Sequence, residues 1–74
     1  MRYLITDEAT GRTVVYDTAT TEVDVLLDLF PEAPADVVEA VHALDRELNA
    51  HALGEENAAF LGLSVVVLAE AGSA

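Results

Sequence analysis

Phe60-Leu61-Gly62-Leu63-Ser64-Val65-Val66-Val67-Leu68 is apolar on every face, and its reading decides the fold. Periodicity cannot separate a buried strand from a buried helix in so short a run. Three consecutive valines, the internal Gly62 and Ser64, and the run's length favour a strand. That strand would join an N-terminal hairpin in a three-stranded sheet, with Glu55-Glu56-Asn57 as the loop leading into it. The alternative is a third helix, with Glu55 and Glu56 in its first turn and Gly72 as its cap.

Upstream, Pro34 to Leu53 (PADVVEAVHALDRELNAHAL) is the clearest element. At about 100° per residue, Val37, Val41, Leu44 and Leu48 form one stripe, edged by Ala40 and Ala52. Glu39, Arg46, Asp36 and Asn49 occupy the opposite side. Pro34 suits the first helical position, Asp36 the first turn, and Gly54 a left-handed terminal cap. His42 and His51 lie about half a turn apart on the wheel and cannot chelate one ion. His51, one turn after Glu47, reads as a hydrogen-bonded or ion-paired boundary residue, and His42 as solvated.

At the N-terminus, Arg2 to Thr6 and Arg12 to Asp17 are β-rich runs joined by Asp7-Glu8-Ala9-Thr10-Gly11, which predicts a hairpin. The acids of that loop match no calcium-binding spacing, and turn chemistry accounts for them. After a threonine-rich link, Thr21 can cap a short helix running to about Phe30, with Asp24 in the capping-box position. Val23, Leu26, Leu27 and Phe30 would face inward. Val25 and Leu29 would face outward, between Glu22 on one flank and Asp24 and Asp28 on the other. Phe30-Pro31-Glu32-Ala33-Pro34 breaks that helix and starts the next, making an αα-hairpin. The expected architecture is therefore one α+β domain over residues 1–74: an N-terminal β-hairpin, an αα-hairpin and a C-terminal strand completing a three-stranded antiparallel sheet.

Composition narrows the functions available. Fourteen acids against three arginines and no lysine give a net charge of −11, so no basic patch for nucleic acid can be assembled from Arg2, Arg12 and Arg46. The same field would repel anionic lipid and attract basic proteins, besides keeping the chain soluble. There is no cysteine, hence no disulfide and no thiolate metal site. The acids in MRYLITDEA argue against a secretory leader, and the uncharged run from Asn57 to Ala69 is too short for a membrane helix, which leads to the expectation of a soluble cytoplasmic protein. A phosphate-binding glycine loop, HExxH, CxxC and GxSxG are all lacking, and no catalytic residue, metal ligand or cofactor is expected.

The hydrophobic fraction of 53% exceeds the roughly 45–50% usual for globular domains, a surplus that points to self-association or a partner. Two readings follow. In the first, the chain is a small regulatory or inhibitory protein that engages a basic protein surface, blocking a nucleic-acid-binding site, through Glu22, Asp24, Val25, Asp28 and Leu29. In the second, it is a homodimeric structural or assembly protein whose uncovered sheet face meets a second copy and whose acidity provides only solubility.

Overall fold

Alternation in the first arm of the hairpin sends Tyr3 and Ile5 to one face and Leu4 to the other, and the strands form accordingly. In the structure, a computed structural model that describes residues 1–68, β1 spans Arg2–Asp7 and β2 spans Thr13–Asp17. They pair antiparallel, with Tyr3 opposite Tyr16 and Ile5 opposite Val14. The connecting loop folds onto Asp7. Its carbonyl accepts the amides of Thr10 (3.3 Å) and Gly11 (2.7 Å), and its Oδ1 accepts that of Ala9 (3.1 Å). Gly11 takes the left-handed conformation at φ 76°. Asp7 is thus a turn residue with a local hydrogen-bonding role.

The run at residues 60–68 divides at Gly62, so each of its two readings holds for part of it. Glu55–Leu61 forms α3 and Leu63–Leu68 forms β3. Gly62, at φ 71°, ends the helix in the left-handed conformation and turns the chain into the strand. Glu55-Glu56-Asn57 is consequently the start of a helix and not a loop. Both glutamates sit in the first turn, where the helix dipole favours them. Gly72, the cap of the all-helical alternative, lies outside the described residues. β3 pairs antiparallel with β1, giving the sheet order β2-β1-β3, with Tyr3 opposite Val67 and Ile5 opposite Val65.

Between hairpin and α3 lie α1 (Val23–Leu27) and α2 (Ala35–Asn49). Thr21 does not cap α1. Its Oγ1 accepts the amide of Asp17 (3.0 Å), closing the turn that leaves β2, and Glu22 takes the cap position without a side-chain bond. Pro34 stands one residue before α2, in extended conformation, and its carbonyl accepts the amides of Val37 and Val38, each at 3.1 Å. A proline ring tolerates this place as well, since its own N–H is not required.

The far end of α2 is closed by His51 and not by Gly54. His51 donates its amide to Leu48 (3.0 Å) and Ala52 donates to Glu47 (2.9 Å), a Schellman pair with His51 left-handed at φ 62°. His51 is solvent-exposed, so its position is set by backbone closure and not by a boundary hydrogen bond. Gly54, released from that task, takes φ 58° ahead of α3 and accepts the amide of Ala58 on its carbonyl (2.9 Å).

The three helices cover one face of the sheet. Tyr3, Ile5 and Tyr16 meet Leu26, Leu29, Val41, Leu44, Leu48, Ala58 and Leu61 in a single core. Both buried tyrosines have polar partners on α2: Tyr3 donates its hydroxyl to the Leu48 carbonyl (3.4 Å), and Tyr16 donates to the Asp45 carboxylate while accepting from Asn49 Nδ2 (3.2 Å). Burial, reinforced by the Asp45 carboxylate, pushes the Tyr16 hydroxyl up from 10.0 to about 12. The neutral phenol is therefore favoured in the folded state. Its contribution is fully present below pH 10 and is lost as pH rises from 10 to about 12. Urea unfolding should show stability falling by on the order of 2 kcal/mol across that interval. A Tyr16→Phe protein should lack this component, and an equal fall in that variant would assign the alkaline loss to other groups.

Candidate functional site

The carboxylates expected to form a partner-binding surface are accessible. Glu22, Asp24 and Asp28 are all exposed on α1 and its flanks, and Val25 is half-buried among them. Leu29 departs from the expected outward position: it is only 5% exposed and belongs to the core. The cause is the early end of α1. After Leu27 the chain tightens, with Leu29 donating to the Leu26 carbonyl (3.1 Å) and Phe30 to that of Leu27 (2.9 Å). Such i to i+3 bonding places residues three apart on one side, so Leu29 follows the buried Leu26 inward. The charge at the end of this patch is also moderated, because Arg12 reaches across to donate to the Asp28 carbonyl at 3.5 Å.

A second acidic feature was not legible in the sequence. Between α2 and α3 runs an open groove of about 350 Å³, lined by Asp36, Glu39, Ala40, Ala43, Asn57 and Phe60. Asn57 Nδ2 donates to the Glu47 carboxylate and ties the two helices together at one end. Phe60, 59% exposed, stands at the groove. Its ring was expected inside a buried strand. The signal that could have placed it is the helical spacing of Ala58 and Leu61, both buried, which sets Phe60 about 130° from the middle of that face.

A further cleft of about 240 Å³ opens near the start of β3, between Glu8 and Glu55 over Leu53, Ala58, Leu63 and Val65. Among the described residues, no group of three or more histidine, aspartate or glutamate side chains could hold a metal ion, and His42 and His51 are both exposed. No helix among them is long and apolar enough to cross a membrane.

Comparison with protein-family models, with curated proteins and with solved structures gives no match. The chemistry of the surfaces is then the guide to function. Ten of the fourteen acids lie from Glu22 to Glu56, in the helical layer and its connections, against a single arginine, Arg46. The open face of the sheet carries a different set. From the strand register, its rows are Leu68, Arg2 and Asp17; Val66, Leu4 and Val15; and Ser64, Thr6 and Thr13. One acid balances one arginine there, so the negative field belongs to the helices and not to the sheet.

Proposed function

We propose that this chain is a small acidic, non-catalytic regulatory or inhibitory module that acts in the cytoplasm and engages a basic surface of another protein through its helical layer. The observation that carries this reading is an exposed aromatic ring set among carboxylates: Phe60 beside Asp36 and Glu39. Exposed carboxylates alone serve solubility. A large apolar side chain exposed beside those carboxylates in a groove offers more than solubility, because it gives a partner something to desolvate. An amphipathic basic helix matches both parts, with its apolar side on the ring and its lysines or arginines facing the acids. A lysine or arginine seated on the ring would also gain from the negative π-face. Glu22, Asp24, Val25 and Asp28 present a further acidic patch on α1 and its flank, which would steer the partner's approach. A partner whose basic surface normally holds nucleic acid would lose that access while bound.

Affinity capture from cells of the source tests this reading. Wild-type chain at low salt should retain basic proteins that elute as salt is raised, and excess chain should displace nucleic acid from them. The Asp24→Asn/Asp28→Asn protein should retain less and show a flatter salt dependence, since exposed charge pairs are screened within about 10 Å at 0.1 M salt. Unchanged capture by the double variant would remove the α1 carboxylates from the site.

A further inference from the structure

We propose that the cleft at the start of β3 receives a lysine side chain of the basic partner, its methylene stem over Leu53, Ala58, Leu63 and Val65 and its ammonium at the carboxylates of Glu8 and Glu55. The site rests on that partner being a basic protein, as proposed for the helical layer, and adds a second contact on the other flank of α3.

The cleft is assembled from separate parts of the chain. Glu55 and Ala58 come from α3, Leu63 and Val65 from β3, Leu53 from the segment after α2, and Glu8 from the hairpin loop. Backbone bonds hold these parts in place. The Glu8 amide donates to the Gly62 carbonyl (3.1 Å), which fastens the hairpin loop to the hinge between α3 and β3, and the Ala58 amide donates to that of Gly54 (2.9 Å) at the start of α3. A site fixed in this way loses little freedom on being filled.

Shape and charge together select the occupant. At about 240 Å³ the cleft falls below the roughly 300–1,000 Å³ of sites that enclose a small-molecule ligand, and suits a single side chain. Its interior is apolar, with Ala58 and Leu63 buried and Leu53 and Val65 half-buried. Glu8 and Glu55 are exposed, and among the described residues neither carboxylate has a hydrogen bond or ion pair. Lysine complements both features, since a flexible apolar stem carries a compact cation with three donors, enough to meet two carboxylates. Arginine is the poorer match, because no lining residue is aromatic and its guanidinium would have no ring to stack on.

The helix itself relates this cleft to the groove at Phe60. At about 100° per residue, Ala58 and Leu61 mark the buried side of α3, Glu55 and Ala59 fall on one flank, Asn57 and Phe60 on the other, and Glu56 at the crest. α3 is thus a ridge with the cleft on one side and the groove on the other. A helix width of about 10 Å separates them, so the lysine belongs to a segment of the partner beside the docked helix.

Nitrogen-15 NMR of the full chain tests the site without the partner, by titration with a capped Gly-Lys-Gly tripeptide, its norleucine counterpart and pentylammonium chloride at constant ionic strength. The lysine peptide should shift the amides of Glu8, Glu55, Ala58, Leu63 and Val65 with dissociation in the millimolar range, as befits one side chain in an open cleft. The norleucine peptide keeps the stem without the charge and should bind at least about tenfold more weakly. Glu8→Gln and Glu55→Gln, both at exposed positions, should each weaken the lysine peptide by about two- to fivefold, the usual scale for exposed charge pairs. Phe60→Ala should leave it unchanged, so that cleft and groove stand or fail separately. No shift at about 100 mM lysine peptide, equal binding of the norleucine peptide, or full binding by the Glu8→Gln/Glu55→Gln protein overturns the proposal. Binding of pentylammonium but not of the lysine peptide overturns it in favour of a free alkylamine.

Discussion

Replacing Gly54 with alanine is expected to lower the unfolding free energy by about 2–4 kcal/mol, a large part of the roughly 4–11 kcal/mol usual for a chain of this length. Two effects combine at this position. The backbone is left-handed at φ 58°, which costs an L-residue about 1 kcal/mol. A Cβ would also stand 2.6 Å from Leu44 Cδ1, inside any contact real atoms make. Leu44 is fully buried and cannot swing into solvent, so its side chain or α2 has to shift within the packed core, an overpacking of about 1–3 kcal/mol. Gly11→Ala separates the two. Its φ is 76°, yet nothing lies within 4 Å of the added methyl, and only the backbone penalty of about 1 kcal/mol should appear. Urea titrations of both variants check this, and equal losses would show that Leu44 yields at no cost.

Phe60→Ala should weaken binding of a basic amphipathic partner by about thirtyfold, corresponding to about 2 kcal/mol, while leaving the unfolding midpoint nearly unchanged. More than half of the side chain is in water, so its removal leaves no sizeable cavity in the core. Its removal from a complex does matter, because the ring is the large apolar surface in the groove that Asp36 and Glu39 also line. A charge-only mode of binding predicts otherwise: affinity would follow the carboxylates and be insensitive to Phe60. Calorimetric titration of the captured partner with both proteins distinguishes these modes. An unchanged affinity would reduce the groove to a solvated surface.

The α+β architecture and the antiparallel three-stranded sheet were legible because alternation in β1 and the apolar stripe of α2 each point to one buried face. The boundaries were not, for local reasons. His51 adopts a left-handed conformation that residue type alone assigns to Gly54, since the Schellman bonds to Leu48 and Glu47 outweigh the modest cost for a non-glycine. In the run after Glu55, Gly62 is a hinge between helix and strand, which a search for one continuous element overlooks. That oversight hid Phe60. The exposure of Glu22, Asp24 and Asp28 could be read from the chain, because carboxylates seldom turn inward, whereas the groove with Asp36 and Glu39 could not. The apolar positions were not legible either: Leu29 turns into the core through a single tightened turn, and Phe60 turns out of it.

The most direct measurement is a nitrogen-15 NMR titration of the wild-type chain, at a concentration where it is monomeric, with a synthetic lysine–leucine amphipathic helix of about 18 residues. The account predicts shift changes gathered on Asp24, Val25 and Asp28 of the α1 segment and on Asp36, Glu39, Asn57 and Phe60 around the groove, diminishing as salt is added. Changes confined to Leu4, Val15 and Val66 on the open sheet, or none at all at low salt, would contradict it.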